Sequence, residues 1–424
     1  MNITLQMAWR NLWRHKRRTW LTVGAMIFSN LLLVFMISLQ FGSYRMMIDN
    51  TLKSYTGHLQ IQRMGYNDNP KIRNSFTDII PLANTLRKRL SNNKVAARGV
   101  AFAMISSKQR TYGLQIIGVE PAFEPAVSTL PGLLTSGRYF NDIDAEEIII
   151  GRVLARNLRV NIGDELTLLG AGRDGSIAAG VVSVTGIFDS GINDIDRLMA
   201  QLPLGYFQSL FNMNGQGHNI VINAEELTQV TLLKNTVSKI LPHELQASES
   251  QRGKPNANEQ QLVILDWNQL QPGLKQAIQA DMISAWFMYG VLIILVAFSV
   301  LNTQLMSVLE RTREFGTMMA LGVKPGRLGT LVISETFLMS SLGLIFGAAL
   351  GAALSYYLSF VGFSYPGMEE MAGRFNLPDR MYPSLSWLSI FLGPGIVFFC
   401  SLLASAYPAL RLFFLQPVSA MKAV

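Results

Sequence analysis

The chain has 424 residues, of which 49% are hydrophobic and only 15% are charged, and its formal net charge is +8. The charged share is well below the roughly 25% that soluble globular domains carry, which argues against a wholly soluble protein. Because the basic residues cluster beside long apolar runs, the positive charge indicates membrane topology, and we predict no nucleic-acid partner.

Four long apolar runs dominate the sequence. Each contains a stretch without Asp, Glu, Lys or Arg that exceeds the roughly 20 residues a helix needs to cross a bilayer. We predict transmembrane helices at residues 19–44, 282–309, 328–360 and 381–410. Buried core helices are the alternative, but such helices are rarely apolar all round over these lengths.

The placement of charge around these runs predicts their orientation. Short segments rich in Lys and Arg stay in the cytoplasm. Residues 1–18, 310–327 and 411–424 are such segments, so we predict that both termini and the 310–327 loop are cytoplasmic. Residues 45–281 are nearly neutral and would form a large periplasmic domain, and residues 361–380 would form a short periplasmic loop.

The N-terminal segment 1–18 is predicted to be an amphipathic helix at the membrane interface. Trp side chains favour the lipid headgroups, and Arg side chains favour anionic lipid. The anchoring residues would be Trp9, Trp13, Arg17 and Arg18. An unstructured basic tail that serves topology alone is the alternative.

The large domain has a mixed α+β pattern. Strand-like segments lie at residues 58–62, 114–119, 147–150, 165–169 and 181–188. Helix-like segments lie at residues 84–90, 152–158, 204–211 and 227–240. A polar surface loop is predicted at 248–260. The chain has one cysteine, Cys400, which lies in the fourth run, so the large domain contains no internal disulfide.

Helical patterns extend beyond the membrane at both connections to this domain. They continue outward from the first run through residues 44–54, and they resume near Leu270 before the second run. We therefore predict two helical stalks, which would transmit motion to the domain because they are stiff.

The sequence contains no motif for catalysis. A phosphate-binding loop and the H-E-x-x-H, C-x-x-C and G-x-S-x-G patterns do not occur in it. The four histidines, His15, His58, His218 and His243, are not spaced as metal ligands. We predict that this chain is not an enzyme and that it binds no metal or cofactor.

The loop between the second and third runs is the most informative segment. Residues 308–326 read VLERTREFGTMMALGVKPG, in which a charged turn precedes an apolar set. The apolar set consists of Phe315, Met318, Met319 and Leu321. We predict a short amphipathic helix whose exposed apolar face binds a partner. Insertion of this face among lipid headgroups is the alternative.

Small residues recur at four-residue spacing in the third run, at Gly343, Gly347 and Gly351. This spacing lets two helix backbones approach closely. The partner helix belongs either to the same chain or to another subunit, and the sequence leaves both possibilities open. Glu335 precedes these glycines, and we expect it to pair with an Arg or Lys at the membrane edge.

The order of these elements resembles the permease subunits of the MacB/FtsX/Lol superfamily of ABC transporters. The loop segment ERTREFGTMMALGV is similar to that superfamily's E-R-x-R-E-x-G-x-x-x-A-L-G pattern. The matching residues are Glu310, Arg311, Arg313, Glu314, Gly316, Ala320, Leu321 and Gly322. The resemblance implies that this loop couples the permease to a cytoplasmic ATPase. It also implies that Glu335 corresponds to the acid that follows in the next span.

The large domain resembles that of lipoprotein-releasing permeases of the LolC and LolE type. The similar segments are IIGVEP at 116–121, IIGRVL at 149–154 and IGDELTLL at 162–169. Residues 37–44, ISLQFGSY, depart from the M-N-G-F stretch of those permeases, and the N-terminus resembles the macrolide-exporter branch. The fold implied is a four-span helical membrane protein with a MacB-like periplasmic core domain.

The resemblance also implies partners and a location. It implies a cytoplasmic ATPase dimer that binds ATP and Mg²⁺, a second copy or a related permease subunit, and the bacterial inner membrane. The implied cargo is lipidated or amphiphilic. Three alternatives remain: an FtsX-like mechanotransmitter that regulates a periplasmic partner, a MacB-like efflux permease, and a sensor or scaffold with no transport role.

Overall fold

The structure is a computed structural model that describes residues 3–14, 16–90, 94–224, 226–241, 261–368 and 380–414. The chain divides into two compact units. A helical unit draws on Met1–Arg45, Ala277–Tyr365 and Arg380–Val424, and a sheet unit draws on Met46–Gln276 and Pro366–Asp379. The predicted surface loop at 248–260 lies outside the described residues, as do parts of the predicted segments 361–380 and 411–424.

The described α-helices are numbered in chain order. They are α1 (Ile3–Arg14), α2 (Lys16–Thr51), α3 (Ile79–Arg89), α4 (Glu124–Val127), α5 (Arg152–Leu158), α6 (Asn193–Leu198), α7 (Leu204–Leu210), α8 (Val230–Ile240), α9 (Trp267–Leu270), α10 (Pro272–Glu310), α11 (Thr312–Ala320), α12 (Pro325–Val361) and α13 (Trp387–Arg411). A π-helical turn, Leu52–Thr56, extends α2, and short 3₁₀ turns lie at Leu130–Leu133, Leu227–Gln229 and Leu412–Phe414.

Within the part of the chain that the structure describes, four helices are long and apolar enough to cross a membrane, as the sequence predicts. They are Lys16–Thr56, Pro272–Glu310, Pro325–Val361 and Trp387–Phe414. Both predicted stalks are helical, because the first and second of these helices continue well beyond the predicted spans without a break.

Two predicted boundaries in the helical unit are wrong. The fourth span was expected from residue 381, but α13 begins at Trp387, where Ser386 and Ser389 form a reciprocal capping box that starts the helix. Residues 382–386 belong to neither a helix nor a strand. The N-terminal helix ends at Arg14, so Arg17 and Arg18 lie on α2, whereas Trp9 and Trp13 lie on α1.

The glycine stripe of α12 packs against α2 of the same chain. A Cβ atom added at any of the three glycines would lie closer than 3.0 Å to a side chain of α2. The facing pairs are Gly343 with Met26 at 2.6 Å, Gly347 with Asn30 at 2.5 Å, and Gly351 with Val34 at 2.8 Å. The two helices therefore meet along three successive turns, where only glycine leaves room for the neighbouring backbone.

The sheet unit contains twelve described strands. They are β1 (Leu59–Arg63), β2 (Phe76–Thr77), β3 (Lys94–Ser106), β4 (Thr111–Val119), β5 (Leu134–Gly137), β6 (Glu147–Gly151), β7 (Glu165–Ala171), β8 (Ile177–Phe188), β9 (Met199–Pro203), β10 (Gln216–Gly217), β11 (Asn219–Asn223) and β12 (Leu262–Asp266). Strands lie at all five positions predicted from sequence, so the α+β character of the domain is confirmed.

Six strands of the main sheet close into a hydrogen-bonded circuit. The sheet order is β12-β1-β11-β3-β4-β9-β6-β8-β5, and β7 bridges β3 and β8. The circuit is therefore β3-β4-β9-β6-β8-β7, and β11, β1 and β12 continue the sheet outward from the first half of β3. Residues of β3 alternate between the core and the outside along its second half, where Ala103 and Ile105 are buried and Phe102 and Met104 are exposed.

Replacing Gly347 by Ala tests the contact between α2 and α12. The added Cβ would lie 2.5 Å from the Cβ of Asn30 and 2.8 Å from the carbonyl oxygen of Ile27, so one helix must move. We expect the free energy of unfolding to fall by about 1–3 kcal/mol, which is typical of overpacking. Unfolding in detergent or lipid discs measures this change.

Gly290→Ala is the matched control, because a Cβ at Gly290 on α10 meets no atom within 4 Å. This control is expected to leave stability unchanged or slightly higher, since Ala favours helix over Gly. Equal effects of the two substitutions would contradict the tight packing of α12 against α2.

Candidate functional site

The loop predicted to couple to a partner folds as the short helix α11 between two long helices. Arg311 leaves helical geometry between α10 and α11, with φ −97° and ψ 12°. At the other end Gly322 has φ +91°, and the amides of Gly322 and Val323 donate to the carbonyls of Met319 and Met318. These bonds form a Schellman motif, which requires the left-handed conformation that glycine adopts readily.

Most of the apolar face of α11 is buried within the chain, which corrects the prediction of an exposed face. Phe315 and Gly316 are buried, and Met318 and Met319 are partly buried. The buried residues that surround them come from α1, α10, α12, α13 and the turn after α13, and they are Ala8, Val308, Leu328, Leu331, Val332, Ala409 and Leu412. Leu321 is the exception in the predicted apolar set, since it is 81% exposed.

A buried ion pair joins α11 to α12 and α1. The Arg311 guanidinium donates to Glu335 Oε1 at 2.9 Å, and the Asn11 amide donates to the same oxygen at 2.8 Å. The side chains of Arg311 and Glu335 are only 11% and 6% exposed. The expected pairing of Glu335 with a basic residue is thus present, and it connects three helices at one point.

Further polar contacts extend this junction to α2 and α10. Arg311 Nε donates to Glu314 at 3.3 Å, and Glu314 also pairs with Arg14 at 3.1 Å. Arg18 on α2 pairs with Glu310 at 2.7 Å and donates to Ser307 Oγ at 2.8 Å, both at the end of α10. Side chains of α1, α2, α10 and α12 therefore all contribute to fixing the position of α11.

The opposite ends of α2 and α10 are also joined by polar contacts. The Tyr44 hydroxyl donates to Asp281 Oδ2 at 2.5 Å, and the Tyr289 hydroxyl donates to Gln40 Oε1 at 3.0 Å. Gln40 in turn donates to the Tyr44 oxygen at 2.6 Å. Sequence reasoning missed this cluster, because polar residues near span ends are usually interpreted as interfacial.

Some of the predicted coupling residues are buried or paired within the chain, and the others are exposed. Arg311 and Gly316 are buried inside the chain, and Glu310 and Glu314 are partly exposed but paired. The exposed residues form a rim along α11, the turn after it and the first turn of α12: Arg313, Thr317, Ala320, Leu321, Gly322, Lys324 and Arg327. We call these residues the α11 rim.

The sheet unit carries a second candidate surface, an apolar groove on the outside of the strand circuit. Its volume is about 920 Å³, and its exposed side chains come from β3, β7, β8 and α6. The largest are Phe102, Met104, Leu169, Ile177 and Leu198. An exposed apolar surface of this kind marks a site for a ligand, a protein or lipid.

No group of three or more His, Cys, Asp or Glu side chains suited to hold a metal ion lies among the described residues. Four membrane-length helices with a large α+β domain inserted after the first define a multi-span membrane protein with an extramembrane domain.

Comparison with known families extends this description. A family model described as the MacB-like periplasmic core domain matches residues 19–240, which is more than half of the chain, and one described as the FtsX-like permease C-terminal region matches residues 286–417. The chain belongs to the MacB/FtsX/Lol superfamily of ABC transporter permeases.

Individual relatives come from two branches of this superfamily. The chain is 22% identical to the lipoprotein-releasing system transmembrane protein LolC of Xylella fastidiosa, over 72% of each chain, and 25% identical to LolE of Haemophilus influenzae, over 79% and 80%. It is 21% identical to the macrolide export ATP-binding/permease protein MacB of Bdellovibrio bacteriovorus, over 99% of this chain and 61% of MacB.

A solved structure of the periplasmic region of MacB from Actinobacillus actinomycetemcomitans covers 55% of this chain at 15% identity, with a TM-score of 0.37. The family models and the four apolar helices together point to a bacterial inner-membrane permease with a periplasmic domain.

Replacing Glu335 by Ala tests the buried junction. The substitution removes the buried carboxylate of Arg311 and leaves it only the longer contact with the more exposed Glu314, and removing one partner of a buried pair typically costs about 3–5 kcal/mol. We expect a loss of this size in the free energy of unfolding, and a smaller loss for Glu335→Gln, which keeps an oxygen for Asn11.

Arg14→Ala is the control, because the Arg14–Glu314 pair is exposed and such pairs contribute less than about 1 kcal/mol. A Glu335→Ala protein as stable as this control would show that the junction does not hold the helices together.

Proposed function

We propose that this chain is the membrane subunit through which a separate cytoplasmic ATPase dimer moves a periplasmic domain to extract or export lipidated or amphiphilic cargo. The α11 rim is the observation that carries the proposal. It combines an exposed leucine, Leu321, with the basic side chains of Arg313, Lys324 and Arg327 on and just after a helix whose other face is packed against its own chain. Burying the exposed apolar side chain of Leu321 against a partner would stabilise the complex.

The orientation in this proposal places the α11 rim in the cytoplasm and the sheet unit in the periplasm. The basic residues around α11 and in the segment before α2 support it, because short basic segments remain inside. In this orientation α1 lies at the inner surface of the membrane, where the exposed Trp9 and Trp13 would sit among lipid headgroups. In this proposal the ATPase binds ATP and Mg²⁺ and hydrolyses ATP, whereas this chain binds the cargo and transmits the motion.

Motion would pass from α11 to the periplasm along stiff helices. When the ATPase dimer closes on ATP, it would displace α11, and the Arg311–Glu335 junction would carry α12 and α1 with it. The helix α10 has 39 residues and spans about 58 Å at 1.5 Å per residue, without an internal proline. A dimer with a second copy or a related permease would place two such assemblies above the two ATPase subunits.

The apolar groove of the sheet unit is our candidate for the cargo contact. We assign it to an acyl chain, because its lining is almost wholly apolar, with Gln115 and Asp194 as the polar exceptions among the large side chains. Its volume of about 920 Å³ lies in the range of ligand-binding sites. In the FtsX-like alternative the sheet unit would have a purely mechanical role. The groove favours transport of lipidated cargo over that role.

Leu321→Asp tests the docking of the ATPase. A charge at this exposed position should leave folding intact but remove an apolar contact worth about 1.5–3 kcal/mol when buried, so that ATPase affinity falls about tenfold or more. Co-purification and titration of the ATPase against the protein in lipid discs measure this. A Trp at the buried Gly316 would instead disturb packing, so it does not test docking.

Leu232→Asp is the control, since Leu232 is an exposed leucine on α8 of the sheet unit. Unchanged ATPase affinity in the Leu321→Asp protein, or recovery of no ATPase with the native protein, would contradict the proposal.

Phe102→Asp tests the groove. A photoreactive diacylated peptide should label the wild-type sheet unit within the groove, and the charged substitution should reduce this labelling several-fold because burying a carboxylate beside an acyl chain is costly. Leu232→Asp should again have no effect. Labelling confined to the membrane helices, or labelling that Phe102→Asp leaves unchanged, would contradict the assignment.

A further inference from the structure

The end of α2 within the sheet unit has an unusual termination. The helix continues into the π-helical turn Leu52–Thr56 and stops at Gly57, which has φ +73°. The last four carbonyl groups of a helix have no partner inside the helix, and they must be satisfied by water or by other parts of the protein. π-helical turns are rare and are frequent at functional sites.

All four terminal carbonyls accept hydrogen bonds from the sheet unit. The donors belong to three separate segments, namely β1, β3 and the loop after α4. The bonds are Thr129 N to Lys53 O at 2.9 Å, Ser128 Oγ to Ser54 O at 2.9 Å, Arg98 Nη1 to Tyr55 O, and Gln60 Nε2 to Thr56 O at 2.7 Å. The end of α2 is therefore bonded to the sheet unit at every free carbonyl.

Arg98 is the central donor of this cap, and it is held by a buried carboxylate. Its guanidinium makes two bonds to Glu124, at 3.0 and 2.6 Å, and both side chains are 0% exposed. Burial alone would lower the pKa of Arg98, but the Glu124 carboxylate more than offsets this and raises it. The positive charge also faces the negative end of the helix dipole of α2, which favours it there.

The connection toward α10 reaches the same part of the sheet. The strand that follows α2, β1, pairs with β12, which precedes α9 and α10, and Leu59 lies opposite Asp266. The Gln271 side chain, directly before α10, donates to the Thr56 hydroxyl at 3.1 Å. The last turn of α2 is thereby tied to the segment that leads into α10.

We propose that Arg98 and Glu124 are positioning residues that fasten the end of α2 to the strand circuit, so that displacement of α2 moves the sheet unit without a flexible joint. This inference rests on the proposed coupling function. Arg98 lies on β3, the strand that belongs to the circuit and also pairs with β11. Movement of the π-helical turn thus reaches the strand whose exposed side carries the apolar groove.

The double substitution R98M/E124L separates this role from simple stabilisation. Replacing a buried ion pair by apolar residues of similar size is often neutral or stabilising, so the domain should remain folded. The cap at Tyr55 O is nevertheless lost. R138M/E147L is the control, because Arg138 and Glu147 pair within the same unit with side chains 52% and 17% exposed, and neither residue bonds to the cap.

The experiment uses the full chain in lipid discs, with and without its ATPase. Hydrogen exchange of the amides at 53–57 should become about tenfold faster in R98M/E124L, because the last turn opens more often without a charged donor. Cargo released per ATP hydrolysed should fall several-fold. The control should leave both values unchanged. Ser128→Ala removes a second cap bond, so it should also speed exchange at 53–57 and lower the cargo released per ATP. If the double variant does not fold, Ser128→Ala serves as the test of the positioning role.

Unchanged exchange at 53–57 would overturn the cap. Faster exchange with unchanged cargo release per ATP would overturn the positioning role. A different result would contradict the proposed coupling function. In that case the wild-type protein would release no cargo when ATP is added, whereas R98M/E124L would still show faster exchange at 53–57.

Discussion

The buried contact between Arg311 and Glu335 is the interaction on which the helical unit depends. A guanidinium and a carboxylate at the edge of an apolar bundle are stable only when each satisfies the other, and Asn11 supplies a second donor to the same oxygen. This constraint orients α11 so that Phe315 turns inward and Leu321 remains outside. The exposed α11 rim is thus a consequence of a buried charge pair and of the packing that shields it.

The same principle operates where α2 ends in the sheet unit. There the terminal carbonyls of a helix, rather than a carboxylate, need donors. Arg98, which Glu124 holds in place, donates to Tyr55 O, and Thr129, Ser128 and Gln60 donate to the other three carbonyls. Between these two fixed points α2 packs closely on α12, because Gly347 and its neighbours allow the backbones to approach. Long uninterrupted helices with fixed ends suit a protein that passes displacement along its length.

The four long helices could be predicted from the sequence, because the length of an apolar run and its lack of charged residues are sufficient to identify a membrane-spanning helix. The same reasoning misplaced the start of α13, since residues 382–386 are mostly apolar or small and hydropathy does not distinguish an irregular segment from a helix. The Ser386–Ser389 capping box was the available signal for the start of this helix.

The prediction that Phe315 is exposed was also wrong, because the periodicity of a sequence identifies an apolar face but does not say which residues cover it. The strand β3 escaped notice since its first half is buried on both faces and does not alternate.

Docking of an ATPase on the α11 rim can be examined with a photocrosslinking amino acid at position 321 in living cells. We expect a crosslinked product with a nucleotide-binding protein, and loss of that product when the ATPase gene is removed. A product formed only with lipid or with a periplasmic protein would contradict both the docking surface and the orientation of the chain.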